Sequence, residues 1–369
     1  LAVKIMHVGE YVKGGVYTYL YDLLDYQSEI QDTAVYLVAS RNKSEDTYPI
    51  SSENLFFYKY RRTPFYFIYA IMYIFTIIKK VKPDIIHVHS TFAGLFVRFL
   101  YLLKPNKKVK IVYCSHGWSF LMDTSNIYKK FYVLVERILS KVTTAIINIS
   151  MFEQVESIKL GIPENKSILI YNGTKKNSFE KRSEITFPKI DKDKINILFV
   201  GRFDRQKGID ILVDSIKRVK NKKVHLYLIG DSVLSESFDM ENLDNITKIG
   251  WIEKEKIDSY YQLVDAVVMP SRWEGFGLVA IEAMKNKKAV IASNRGALPE
   301  LIKDNVNGYI FDLNDLDSLV CILESLDKGI LEVMGKKGYM QYIEKFTSEK
   351  MNENILNVYN SLLEEKIVK

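Results

Sequence analysis

Short, β-branched apolar runs alternate with longer helical patterns from one end of the chain to the other, and no other feature restricts the fold as much. The first series is VKIMHV, a helical pattern at Val16–Leu24, TAVYLVA, LFFYKY, a helical pattern at Phe65–Lys80, DIIHVHS, a third at Phe92–Leu103, KIVYCSHG, Ile127–Ser140, TTAIINIS, Met151–Lys159 and SILIYNG. Continuously apolar strands separated by helices predict a parallel sheet covered on both faces. A charged, aperiodic stretch follows, and residues 174–194 are expected to be a linker. The alternation restarts with INILFVG and runs through Ile209–Val219, VHLYLIG, ITKIG, Lys254–Leu263, DAVVMPS, Gly277–Asn286, AVIAS, Leu298–Ile302 and GYIF before several closing helices. The expectation is an α/β chain with two Rossmann-like, doubly wound domains facing a cleft, residues 1–173 and 195–350. A length of 369 residues fits two such domains.

The charge is unevenly placed. Residues 1–180 hold 23 Lys and Arg against 15 Asp and Glu, whereas residues 181–369 are nearly balanced, so the first half carries all of the +7. Lys59–Lys110 has eleven basic residues and one acidic, Asp84. No nucleic-acid-binding motif accompanies them, so nucleic acid is not an expected partner. Anionic lipid or a phosphorylated acceptor fits better. Inside this region Pro64–Ile78 is fifteen residues without a charge, preceded by Lys59, Arg61 and Arg62 and followed by Lys79, Lys80 and Lys82. A membrane span needs about 20 apolar residues. Two readings stay open: a helix buried between the sheet and its neighbours, or partial insertion into a bilayer surface.

Apolar residues at 47% and charged residues at 26% exclude a disordered, collagen-like or coiled-coil chain. Two cysteines, Cys114 and Cys321, exclude a disulfide scaffold and a cysteine-based zinc site. Both lie in apolar runs and are expected to be buried, reduced thiols. Leu1–Val8 runs straight into a strand pattern, so no leader peptide is expected.

In doubly wound folds ligands bind at the carboxyl ends of strands. After the first strand, Gly14 and Gly15 precede a helical pattern, where backbone amides can approach an anion. A tight turn is the competing reading, and the dinucleotide fingerprint is absent. After KIVYC, His116 sits beside a glycine, which suits a group aimed at a ligand or a structural histidine. His87 and His89 alternate on DIIHVHS. The pair hints at a metal, but no third ligand lies close in sequence, and structural histidines are the expectation. After INILFV, the loop GRFDRQKG carries Arg202, Arg205 and Lys207 ahead of a helix, a diphosphate site or a solvated basic loop.

The most specific local pattern is PSRWEGFGLVAIEAM. Glu274 is in the loop, Gly275–Gly277 lead into a helix, and Glu282 falls within its apolar start. Between two buried strands this carboxylate is expected to be buried, a buried carboxylate needs partners, and sugar hydroxyls can donate to it. Eight residues of helix would separate the two glutamates by about 12 Å, the order of the distance from a hexose to the ribose of a nucleotide sugar. A glycosidase pair instead needs two carboxylates facing each other across one bond.

KGGVYTYL, PDIIHVHS, SHGW, YNG, FVGRFDRQKGID, PSRWEGFGLVAIEAM and GALPELI with NGYIF span nearly the whole chain in this order, and together they resemble the family 4 retaining glycosyltransferases of the GT-B fold. The resemblance implies that Arg202 and Lys207 hold the donor diphosphate, Glu282 the ribose hydroxyls and Glu274 hydroxyls of the transferred sugar. It implies backbone amides from Phe276, Gly277 and Leu278, and a donor-sugar contact from His116 near the reacting centre. Gly14 and Gly15 match the glycine loop near the diphosphate, and Gly230, Trp251 and Ile252 lie where the family holds the base. YNG matches the hinge, and a last helix at about 351–369 is expected to return to the first domain.

What the resemblance implies for chemistry is transfer with retained configuration and no metal or other cofactor, the nucleotide sugar, expected to be a UDP-sugar, being a co-substrate. The local style of the first half is similar to bacterial enzymes that build O-antigen, capsule or exopolysaccharide on undecaprenyl diphosphate, working from the cytoplasm against the anionic inner face of the membrane. A transferase with a soluble acceptor and a UDP-GlcNAc 2-epimerase-like enzyme on the same fold are the alternatives. The sugar, the linkage and the oligomeric state are not legible.

Overall fold

The computed structural model describes residues 2–176, 190–220, 223–232 and 244–364. Two compact units emerge, Leu1–Lys175 with Ser348–Lys369, and Lys176–Thr347. Most of the linker expected at 174–194, and the last five residues of the expected terminal helix, lie outside the described residues.

The first unit runs β1 (Val3–Gly9), α1 (Gly15–Ser28), β2 (Thr33–Ser40), β3 (Leu55–Tyr58), α2 (Pro64–Val81), β4 (Ile85–His89), α3 (Thr91–Leu103), β5 (Lys110–Cys114), α4 (Asn126–Leu139), β6 (Ala145–Asn148), α5 (Met151–Lys159) and β7 (Ser167–Leu169). Its strands form one sheet in the order β3-β2-β1-β4-β5-β6-β7, and every pairing is parallel. The order reverses between β1 and β4, which makes their carboxyl ends the switch point. All five residues of β4 are buried, as a central strand covered on both faces requires.

The second unit runs β8 (Ile195–Val200), α6 (Ile209–Arg218), β9 (Val224–Ile229), β10 (Ile246–Gly250), α7 (Lys254–Leu263), β11 (Ala266–Met269), α8 (Leu278–Lys285), β12 (Ala289–Ser293), α9 (Leu298–Leu301), β13 (Gly308–Phe311), α10 (Leu316–Glu324) and α11 (Lys328–Lys345). Its sheet has the order β10-β9-β8-β11-β12-β13, again parallel throughout, with the reversal between β8 and β11. The last helix, α12 (Ser348–Glu364), belongs to the first unit. Asn352 donates to the Asp22 carbonyl at 3.3 Å, and Tyr359 reaches His87 in the sheet.

One sequence expectation changes. Cys114 is buried but Cys321 is exposed. α10 turns Leu319 and Leu323 inward, and a residue midway between them falls on the opposite face of a 3.6-residue helix. The apolar stretch in α2 is not enclosed. Ala70, Ile74, Ile77 and Val81 are buried, while Phe65 is 74% exposed, and Ile68 and Met72 also face out. α3 packs on α2 and α4 on α3. α4 exposes a second apolar row, Ile127, Phe131, Leu134 and Ile138. Beneath these helices Arg98 makes a bidentate bond to Glu136 at 2.7 and 3.1 Å, with the Tyr113 hydroxyl donating to the same carboxylate at 3.0 Å. A fully buried charge needs such a partner.

Candidate functional site

In the second unit the loops after β8, β10 and β11 leave the carboxyl edge of one parallel sheet, so they collect on one side of it. The basic loop Gly201–Gly208 and the loop Pro270–Gly277 flank the switch point and are stitched together. Arg272 donates to the Arg205 carbonyl at 2.9 Å and makes a bidentate pair with Asp210 at 2.8 and 2.5 Å. Burial alone would raise the Asp210 carboxyl, but the Arg272 hydrogen bonds and charge outweigh it and hold it below its ordinary value. At Gly208 the backbone has φ 68°, and a Cβ would stand 2.0 Å from the Pro270 carbonyl oxygen, so only glycine lets the loops approach this closely.

These contacts place the expected donor residues. Lys207 Nζ lies 2.7 Å from Glu274 Oε2, to which Ser271 Oγ also donates at 3.3 Å. Arg202 is half-exposed and bonds Gln206 Oε1 at 2.8 Å and Asp204 Oδ2 at 3.1 Å. Gly277 caps α8 with φ 109°, and the first turn carries no acidic residue and no side-chain cap. The amides of Leu278 and Val279 therefore remain available to an anion, while that of Ala280 already donates to the Gly277 carbonyl at 2.9 Å. Phe276 presents backbone here while its ring is buried against Phe346, 5.8 Å between centroids. Gly230 directly follows β9, and Trp251 and Ile252 follow β10, with Trp251 largely exposed.

Glu282 differs in one respect from the sequence expectation. It is only partly buried, and the Tyr261 hydroxyl donates to its Oε2 at 2.9 Å. Burial still pushes its carboxyl up, against the opposing charge of Lys285 and the Tyr261 hydrogen bond. The helix begins at Leu278, so only the second half of the Glu274–Glu282 interval is helical. Tyr261 and the Arg272–Asp210 pair were not singled out in the sequence, because their partners lie 21 and 62 residues away in unrelated motifs, and Ser271, three residues from Glu274, carries no local signal that sets it apart from an ordinary loop serine.

Gly14, Gly15 and His116 belong to the first unit. Gly14 is the N-cap of α1 at φ 60°, Gly15 opens the helix, and neither has a capping side chain nearby. A Cβ at Gly14 would meet nothing within 4 Å, so the loop is open to a ligand. His116 has φ 54°, an uncommon backbone for a non-glycine residue, held by its surroundings. Its Nε2 lies 3.0 Å from His89 Nδ1, its ring stacks on that of His89, and Tyr19 meets it edge-on at 4.5 Å. His89 Nε2 in turn lies 3.0 Å from His7 Nδ1, and His7 Nε2 is 2.8 Å from Gln27 Oε1. Burial lowers all four imidazoles, His7 to about 4 and His116 to about 3, so the relay is neutral at pH 7. His7 pairs with His87 across β1 and β4, a neighbour 80 residues away that the sequence could not disclose. Trp118, next to His116, is a core residue whose Nε1 donates to Asn148 at 2.9 Å.

Two doubly wound parallel sheets, one lined with a basic loop and a glycine-capped helix, define a GT-B transferase architecture. Sucrose-phosphate synthase from Thermosynechococcus elongatus has the same fold, with a TM-score of 0.82, 20% identity, and coverage of 98% of this chain and 100% of that one. HepE from Anabaena, solved in complex with UDP, gives 0.77 at 17% identity over 97% and 100%. Residues 13–177 match the family described as Glycosyltransferase Family 4, and residues 180–339 match Glycosyl transferases group 1. The chain belongs to the family 4 glycosyltransferases. An uncharacterized 41.2 kDa protein in the cps region of Klebsiella pneumoniae is 37% identical, over 88% of this chain and 90% of that protein. An uncharacterized glycosyltransferase of Methanocaldococcus jannaschii is 30% identical over 78% of each. The UDP-Gal:alpha-D-GlcNAc-diphosphoundecaprenol alpha-1,3-galactosyltransferase of Escherichia coli is 24% identical over 80% of each.

Proposed function

We propose that this glycosyltransferase moves a sugar, with retention and without a metal in the transfer step, from a UDP-sugar to a lipid-diphosphate-linked acceptor in bacterial surface-polysaccharide synthesis. The Lys207–Glu274 pair beside the uncapped N-terminus of α8 carries the reading. Arg202 and Lys207 take the charge that develops on the leaving diphosphate, aided by the α8 amides. Glu274 accepts from hydroxyls of the transferred sugar and Glu282 from the ribose. Gly230, Trp251 and Ile252 border the base. His116, Gly14 and Gly15 act from the first unit, His116 on the donor sugar and the glycines on the diphosphate. The acceptor oxygen bonds to the anomeric carbon as the bond to the diphosphate breaks, and the acceptor proton passes to the departing phosphate oxygen on the same face.

The galactosyltransferase relative, which by its name uses UDP-Gal and an undecaprenyl-diphosphate acceptor, supports this choice of substrates. The acceptor side also rests on α2 and α4. Apolar side chains stand out from both, and Lys79 and Lys80 close the last turn of α2. Long cationic side chains flanking exposed apolar ones suit an anionic headgroup layer on the cytoplasmic face. The test is incubation with UDP-sugars and a short-chain polyprenyl-diphosphate saccharide. An α-configured product from an α-configured donor supports the proposal. Turnover of UDP-sugar only to its epimer, with no transfer, overturns it.

A further inference from the structure

We propose that His7, His87 and His89 form a site for one zinc-type divalent ion, buried in the first unit beneath His116. The three side chains are fully buried, and one ring nitrogen of each lies within 4.8 Å of the others. His7 Nδ1 and His89 Nε2 are 3.0 Å apart. Tetrahedral zinc with bonds of about 2.05 Å sets its nitrogen ligands about 3.3 Å apart, so this edge is close to size already. The third nitrogen comes from His87, whose Nε2 is buried without a hydrogen-bond partner. Leaving such a group unmatched is costly, and a metal bond removes that cost.

The outward side of the cluster is an independent observation. His7 Nε2 faces Gln27 Oε1 at 2.8 Å, His87 Nδ1 faces the Tyr359 hydroxyl at 2.6 Å, and His89 Nδ1 faces His116 Nε2 at 3.0 Å. Each histidine thus has a group within hydrogen-bond distance that can accept its outer proton, His116 doing so in the tautomer with its proton on Nδ1, which is how metal-ligating imidazoles are normally oriented. Neutral imidazole is also the ligand form. An all-nitrogen set without a carboxylate selects zinc over magnesium or calcium, with water in the fourth position. Ligation needs lone pairs on both His7 Nδ1 and His89 Nε2, so each ring keeps one proton and holds it outward. No proton is lost, but His116, accepting at Nε2, then carries its own at Nδ1. The ion sits behind His116 and takes no part in the transfer step.

The experiment uses the full chain expressed with zinc in the medium, desalted, and analysed for metal, with thermal unfolding measured before and after chelation. About one zinc per chain, a midpoint that falls on chelation and returns with ZnCl2 but not MgCl2, and loss of the metal in His87→Gln are expected. Tyr359→Phe, which removes only the outer acceptor of His87, is expected to weaken zinc about 10- to 100-fold. It keeps the test valid if His87→Gln does not fold. Zinc at background level with a midpoint indifferent to ZnCl2 overturns the site, as does zinc retained at full affinity in Tyr359→Phe and His87→Gln.

Discussion

Lys207 Nζ and Glu274 Oε2 are 2.7 Å apart, and both side chains are mostly buried. The cation assigned to the diphosphate and the carboxylate assigned to the sugar therefore form one unit, braced by Ser271. On the proposed assignment, removing Glu274 takes away a sugar contact but leaves Lys207 for phosphate. Glu274→Ala is expected to lower kcat about 100-fold or more, while UDP affinity changes by less than about threefold. Steady-state UDP release together with UDP calorimetry reads both. A parallel loss of UDP binding would mean that Glu274 holds the loop rather than the sugar.

Glu282 is expected to behave the opposite way. Hydrogen bonds to a charged group are worth about 1.5–3 kcal/mol, so Glu282→Ala should weaken UDP about 10-fold or more. On the proposed assignment, the ionised carboxylate can accept from both ribose hydroxyls, whereas protonation uses up part of its acceptor capacity. Burial raises this carboxyl above its ordinary 4.5. UDP affinity should therefore fall on acidification at a pH above that ordinary value, and Glu282→Gln should flatten the profile. Equal pH profiles for the two proteins would count against the assignment.

The histidine relay makes the fold acid-sensitive. In the unfolded chain these imidazoles take up protons below about 6.5. In the folded chain burial lowers His7 to about 4 and His116 to about 3, with His87 and His89 well below their ordinary value. The unfolded state thus binds more protons below 6.5, and stability is full above that pH and lost beneath it. Each group contributes a slope of up to about 1.4 kcal/mol per pH unit. Urea midpoints at pH 7.5 and 5.5, at constant ionic strength, should differ strongly, with the acid sample weaker. Equal midpoints would mean that the imidazoles are already charged or solvated.

Vesicle binding tests the apolar helices. Co-sedimentation with anionic vesicles is expected, with little binding to neutral ones. Replacing Lys79, Lys80 and Lys82 by glutamine should release the protein, and so should Phe65→Ser with Phe131→Ser. None of these side chains is buried in the core, so folding should persist. Equal binding to neutral vesicles would leave the lysines without this role.

The strand–helix alternation and the two loops of the candidate site were legible because they depend on local pattern: apolar runs mark strands, and Gly201–Gly208 and Pro270–Gly277 announce themselves by composition. Faces and partners were harder to read. Cys321 lies in an apolar run yet points outward, because a helix has two sides and the run does not say which is covered. Glu282 finds Tyr261, Arg98 finds Glu136 across 38 residues, and His7 joins His87 and His89 only because β1 and β4 are neighbours at the switch point. Such pairings are set by topology, which spacing along the chain does not encode.

The most direct test of the central claim is calorimetric titration of the protein with UDP, GDP and ADP, first without metal and then with magnesium. The account predicts selective binding of UDP that does not require magnesium. Preference for GDP or ADP would contradict the proposed donor, and binding of none of the three would contradict the roles given to Arg202, Lys207 and Glu282.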